Sequence, residues 1–212
     1  MISAVIFDLD GTVLDNEGEW ETAFQAIFDR YHLSFDHLVK QPNGWMHEPG
    51  IGILPNWKRY FPFDLERIDK LSRETWNAYE PNHKMREGLV ELVEKSKEKG
   101  WQTGLCTGSS WNVVERELEE LNLYLAFDVT TTGEEVMMQK PDPEIYLLTA
   151  QKLGLEPAEC LVIEDAVAGV RAGVEAGCKV IALESDYAPA KLLNDAGAGW
   201  VVKEMVDILN IL

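Results

Sequence analysis

Two aspartates one residue apart, Asp8 and Asp10, close an unbroken apolar run, Ala4 to Phe7, near the start of the chain. Such a run suits a strand buried on both faces of a parallel sheet. Carboxylates at i and i+2 of a strand point to the same side, and Gly11 permits the sharp turn that leaves them at the sheet edge. Crowded carboxylates repel each other unless a cation or a shared proton offsets the repulsion. The device recurs downstream, where the short apolar strand Leu161 to Ile163 halts at Glu164 and Asp165. A hard divalent cation such as Mg²⁺ favours that setting: a few carboxylate oxygens, water and phosphate. Taken singly, each pair has a plainer use, as caps of the segments that follow.

Two further segments carry the right chemistry for an anion. Thr107, Gly108 and Ser109 sit between an apolar strand and a helix, where hydroxyls and backbone N–H groups can cradle phosphate. Ser109 or Ser110 could equally cap that helix. Lys140 precedes Pro141, Asp142 and Pro143, so it is held on a stiffened loop that cannot be helical before Pro143.

The elements that must position these groups alternate. Strands are expected at Ala4–Phe7, Trp101–Cys106, Phe127–Thr131, Leu161–Ile163, Val180–Leu183 and Trp200–Val202. Between them lie helical stretches: one ending at Gly100, one carrying Val114, Leu118 and Leu121, one from about Pro143 to Leu153, and a small-residue helix from Ala168 to Ala176. That alternation implies an α/β, Rossmann-like doubly wound parallel sheet. Residues 15–81 show no convincing strand. Helical stretches are expected from Trp20 to Tyr31, at Asp36 to Val39, Asn56 to Tyr60 and Leu65 to Tyr79, around a Gly/Pro-rich loop, Gln41 to Pro55. The chain therefore divides into an α/β core, residues 1–14 and 82–212, and a helical cap, 15–81, inserted after the first strand. Trp20 and Trp76 read as packing residues of that cap. Trp45 and Trp57, which flank the loop, and the basic pair Lys58 and Arg59 are its candidate substrate contacts.

Composition narrows the function. The chain has 212 residues and a formal net charge of −18, which argues against nucleic acid or anionic membranes as partners. It does not exclude a small phosphorylated metabolite, because screening over about 8 Å lets local cations outweigh distant carboxylates. Three cysteines, odd in number and set in or beside apolar runs, argue against a disulfide framework and for a cytoplasmic setting. The first residues lack the pattern of a signal peptide.

The ordered set DLDGT, CTGSS, QKPDPEIY and VIEDAVAGVRAG resembles the four motifs of the haloacid dehalogenase superfamily. Within it, the chain is most similar to the β-phosphoglucomutase and phosphoglycolate phosphatase-like group, which carries a helical cap between the first two motifs. The resemblance implies that Asp8 is the nucleophile and Asp10 the general acid and base. It implies that Mg²⁺ is held by Asp8, the backbone carbonyl of Asp10, and Asp165, with Glu164 in the outer shell. Thr107 and Lys140 would bind the phosphoryl oxygens, with Gly108 and Ser109 in the same loop. Relatives that cleave carbon–halogen bonds lack the second aspartate, so Asp10 directs the reading to phosphoryl transfer. The G-x-S-R-x-x-S-L cap sequence by which β-phosphoglucomutases hold a sugar phosphate is absent, which weakens the mutase alternative. A non-catalytic phospho-acceptor module would need neither a lid nor a leaving-group acid. The expectation is a Mg²⁺-dependent phosphatase, a monomer or weak homodimer.

Overall fold

Every residue from Ala4 to Phe7 is fully buried, as an apolar run without polar alternation requires of a central parallel strand. In the computed structural model, which describes residues 1–34 and 41–212, this strand is β1 (Ala4–Phe7). Five more follow: β2 (Gln102–Cys106), β3 (Val129–Thr131), β4 (Cys160–Glu164), β5 (Lys179–Leu183) and β6 (Trp200–Val202). Their order in the sheet is β3-β2-β1-β4-β5-β6, and every neighbouring pair is parallel. The chain winds outward from β1 to β3, then crosses to β4 on the other side of β1. The carboxyl ends of β1 and β4 therefore flank the switch point at which open α/β sheets bind ligands. Phe7 is level with both Leu105 and Ile163, so Asp8 and Glu164 leave the sheet side by side.

Among the described residues, three of the helices between β1 and β2 form the insertion: α1 (Glu17–Arg30), α2 (Ile53–Tyr60) and α3 (Leu65–Ala78). They pack on one another around Phe24, Ile27, Phe28, Trp57, Ile68 and Leu71. This is the expected helical cap inserted after the first strand. The helix foreseen at Asp36 to Val39, and His37 with it, lies outside the described residues. The helix foreseen from Asn56 starts earlier, at Ile53, because Gly52 at φ +83° turns the chain and Pro55 is tolerated in a first helical turn.

The remaining helices cover the two faces of the sheet. α4 (Leu89–Glu98), α5 (Trp111–Glu120) and α9 (Met205–Ile208) pack against Val5 and Phe7. α6 (Glu144–Leu153), α7 (Val167–Glu175) and α8 (Ala190–Asp195) pack against Ala4 and Ile6. The alternation of side chains along β1 thus feeds two separate cores. The short helices α8 and α9 span too few residues to display a 3.6-residue period, which is why the sequence pattern did not foretell them. Among the described residues no helix is long and apolar enough to cross a membrane, and all three cysteines are free and buried.

Trp57 is one of the largest fully buried side chains. It stacks on Phe28 at 5.2 Å, and its indole N–H donates to Thr75 Oγ1 at 2.8 Å. It belongs to the cap's core, which corrects its expected role as a substrate contact. Trp57→Ala is expected to destabilise the protein by about 3–5 kcal/mol, read as a shift of the denaturant midpoint. A loss under ~1 kcal/mol would mean that the cap core is not organised around this ring.

Candidate active site

Burying a lysine ammonium is tolerable only when carboxylates meet it. Lys140 is 2% exposed, and its Nζ donates to Asp8 Oδ1 and, at 2.7 Å, to Glu164 Oε1. The lysine therefore stitches the ends of β1 and β4 together. Glu164 is saturated elsewhere as well. Its Oε1 accepts from the Tyr146 hydroxyl at 2.8 Å, and its Oε2 from the backbone N–H groups of Asp165 and Ala166, both at 3.0 Å. Gly169 has to be glycine here, since a Cβ would stand 1.6 Å from Glu164 Oε1.

Asp165 lies beside this trio. Its Oδ1 accepts from Thr12 Oγ1 at 2.8 Å and its Oδ2 from the Tyr187 hydroxyl at 2.6 Å. A Cβ on Gly11, whose φ is +78°, would come within 2.0 Å of that Oδ2. Asp165 does not cap α7, whose N-cap is Ala166. Asp10 faces the other way. Its Oδ1 accepts from Asn16 Nδ2 at 2.7 Å and the Trp20 indole at 3.0 Å. Its Oδ2 accepts from Ser109 Oγ at 2.7 Å, with the Thr107 hydroxyl at 3.5 Å. Ser109 thus spends its hydroxyl on Asp10, and Ser110, at the N-cap of α5, makes no side-chain capping bond. The capping alternative fails for all of these residues.

One oxygen from each of Asp8, Glu164 and Asp165 lies within 4.8 Å of the others, and all three residues are buried. Three carboxylates there face one ammonium. Burial pushes the Asp8 carboxyl well above its usual range against the pull of Lys140, and burial with Glu164 pushes Asp165 to about 8. Asp8 and Glu164 outweigh burial at Lys140 and hold it charged. An all-oxygen, electron-rich donor set with excess negative charge fits a hard divalent cation. Asp10 offers no carboxylate oxygen to that cluster among the described residues.

Asp8, Asp10, Thr107, Gly108 and Ser109 open onto a cleft of about 750 Å³ between the sheet edge and the cap. Lys140, Glu164 and Asp165 are buried beside Asp8 and do not line it. The cap side is lined by Trp20, Phe24, His47, Asn56, Arg73 and Trp76, among others. Trp20 and Trp76 pack as expected, with Ala23 and Tyr79, and they also line the cleft, where Trp20 bonds Asp10. Trp57, Lys58 and Arg59, expected as substrate contacts, do not line it. Lys58 is exposed, and Arg59 reaches Glu48 at 3.5 Å. Trp45 also lies off the cleft, stacked between His47 and Tyr187. Asn16, Trp20 and His47 went unrecognised because each lies in a helical or loop context with no motif of its own. Tyr146 could have been found, since it falls on the buried face one turn into the helix after Pro143.

A family model described as haloacid dehalogenase-like hydrolase matches residues 2–177. The chain is 31% identical over 214 residues to a phosphorylated carbohydrates phosphatase of Thermotoga maritima, covering 100% of this chain and 98% of that one. A hydrolase from Pseudomonas syringae superposes with a TM-score of 0.86 at 25% identity, covering 100% and 97% of the two chains. A β-phosphoglucomutase from Clostridium difficile shares the fold, with a TM-score of 0.82 at 24% identity over 98% and 93%.

His47, 3% exposed, lines the cleft from the cap side. Its Nε2 meets Glu17 at 2.8 Å and its Nδ1 meets Glu21 at 2.7 Å. Burial opposes the imidazolium, but the two glutamates outweigh it and push its pKa up to about 9. A histidine whose folded pKa exceeds its unfolded value of about 6.5 stabilises fully below the latter. That contribution fades as pH rises and is gone above the folded value. The NMR titration of His47 is therefore expected to centre near pH 9. The stability gap between wild type and His47→Gln should shrink from pH 6.5 to 9.5. A midpoint near 6.5 would show that the glutamates do not hold the proton.

Proposed function

The chain belongs to the haloacid dehalogenase-like hydrolase family, and from that premise we propose that it is a phosphatase acting on small phosphomonoesters through an aspartyl phosphate on Asp8. The observation that carries this reading is that Asp8 and Asp10 share one cleft yet have unlike partners. Paired carboxylates in different environments can divide nucleophilic and proton-transfer work between them. Asp8 is fixed by Lys140 with its remaining oxygen available. Asp10 is oriented by Asn16, Trp20 and Ser109 toward the cap.

In the first half-reaction the Asp8 carboxylate attacks phosphorus as the ester P–O bond breaks, and Asp10 protonates the departing alkoxide. In the second, Asp10 takes a proton from water as its oxygen attacks the aspartyl phosphate, restoring Asp8 and releasing inorganic phosphate. Lys140 has three N–H donors and spends two on Asp8 and Glu164. The third, together with the Thr107 hydroxyl and the Gly108–Ser109 turn, would neutralise charge on the phosphoryl oxygens. Asp8, Asp165 and the Asp10 backbone carbonyl would hold Mg²⁺, which supplies further positive charge to those oxygens. Glu164, saturated by its hydrogen bonds, would act by anchoring Lys140.

The cap, residues 15–81, would close over the leaving group. Among the described residues lining the cleft, the cationic side chains are Arg73, paired with Asp69, and His47, paired with Glu17 and Glu21. Each already has a carboxylate partner, and the lining as a whole is richer in acids than in cations, which supports a neutral polar leaving group such as a sugar or polyol. The name of the Thermotoga maritima relative accords with that. A mutase working through a bisphosphate would need such a second grip. Free cysteines suit a reducing compartment such as the cytoplasm, and a monomer suffices because one chain builds the whole cleft.

The test is phosphate release from sugar, polyol and bisphosphate esters, with Mg²⁺ or EDTA. Release should need Mg²⁺, vanish in Asp8→Asn, and fall about 10²–10⁴-fold in Asp10→Asn. Release that survives Asp8→Asn would overturn the mechanism. An isomerised product from β-glucose 1-phosphate with a bisphosphate primer would move the assignment to a mutase.

A further inference from the structure

The plane of an aspartate carboxylate is not set by rotamer preference, because its terminal torsion is broad. Whatever donates hydrogen bonds to Asp165 therefore decides how its oxygens face the carboxylate cluster. One donor, Thr12, belongs to the loop leaving β1. The other, Tyr187, comes from the segment after β5 and is 7% exposed. Its backbone is fixed by a turn, in which Ser185 N–H donates to the Ala188 carbonyl at 3.1 Å and Ala188 N–H to Ser185 Oγ at 3.0 Å.

The Tyr187 ring is not held by the core alone. Trp45, from the cap, stacks on it at 5.0 Å and 27°. Trp45 stacks in turn on His47 at 5.3 Å and 21°, and His47 on Phe24 at 5.3 Å and 7°. Four rings thus run from α1 to the phenol that bonds Asp165. Glu21 fastens His47 within the row, accepting from the Met46 and His47 backbone N–H groups and from the His47 ring. The row crosses from cap to core, so a cap that swings away removes Trp45 from one face of Tyr187.

We infer that Tyr187 is a positioning residue for Asp165, and that Trp45 makes its hold depend on where the cap sits. The inference rests on the reading that Asp165 holds a divalent cation. A closed cap would then orient Asp165 for the cation, and an open cap would loosen it. Coupling of this kind ties cation affinity to cap closure without any cap residue touching the cation.

The experiment is a double-mutant cycle on the full chain, with Mg²⁺ or Mn²⁺ affinity measured calorimetrically in the absence of substrate. Tyr187→Phe keeps the ring and the stack but removes the hydroxyl, and should weaken binding by about tenfold or more. Trp45→Ala should weaken binding severalfold in the wild-type background and scarcely at all in the Tyr187→Phe background. Trp45→Phe, which restores a ring, should recover most of the loss. Unchanged affinity in Tyr187→Phe would overturn the positioning role. Equal losses from Trp45→Ala in both backgrounds would reduce the row of rings to packing, overturning the coupling. In either case, intact Mg²⁺-dependent phosphate release would leave the phosphatase reading standing. A wild-type chain that binds neither cation would overturn both.

Discussion

The buried ammonium of Lys140 between Asp8 and Glu164 is the constraint on which the rest of the site depends. Removing one partner from a buried ion pair typically costs about 3–5 kcal/mol, because the other charge is left stranded. Three separate segments must therefore converge: the end of β1, the loop before α6 and the end of β4. The parallel sheet makes that possible by bringing β1 and β4 into register with Phe7 beside Ile163. The surrounding polar atoms are then forced into use. Tyr146 turns inward to Glu164, and Glu164 spends its second oxygen on the first turn leading into α7. Small residues follow from the same crowding, since neither Gly11 nor Gly169 has room for a Cβ against these carboxylates.

A site this acidic also accounts for the charge pairing inside the cap. Glu17 lies near Asp10 and Glu164, and both raise its pKa beyond what burial does. Left alone it would add to the repulsion at the sheet edge. His47 offsets it, and a second glutamate, Glu21, keeps His47 protonated from the far side. The ion pairs and the Trp20–Tyr79 stack at 3.7 Å thus hold the cap face of the site together from within the cap. The cap meets the core through other groups: the bonds of Asn16 and Trp20 to Asp10 and the stacking of Trp45 on Tyr187.

Much of the core was legible because its physics is local. An apolar run ending in two acids states both the strand and its edge, and β1 and β4 follow that rule to within a residue. Lys140 was legible from its stiff Pro-flanked loop, although its full burial was not. The cap resisted for the opposite reason. An indole at helical spacing reads alike whether it faces a core or a cleft, and only the crossing of three helices separates Trp57 from Trp20. Lys58 and Arg59 were attractive for their charge, yet Lys58 is exposed and Arg59 reaches the rim, through Asn56 and Glu48. Tyr187 had no local signal at all, since its partners lie 22 residues before it in Asp165 and far upstream in Trp45.

The two ends of the cleft thus work by different physics. At the sheet edge, charge is concentrated, desolvated and held by directional bonds, which under the proposed reading would set the position of a phosphoryl group within narrow limits. At the cap, the walls are indole and phenyl rings together with side chains already paired to one another. Such walls exclude water and restrict size, but offer few directional bonds for a leaving group to satisfy. Discrimination there comes from what the cleft rejects. The lining carries more carboxylates than cations, with Glu48 and Glu134 beside the paired Asp69 and Arg73, so under the proposed phosphatase reading a leaving group without a second anion would meet the least repulsion.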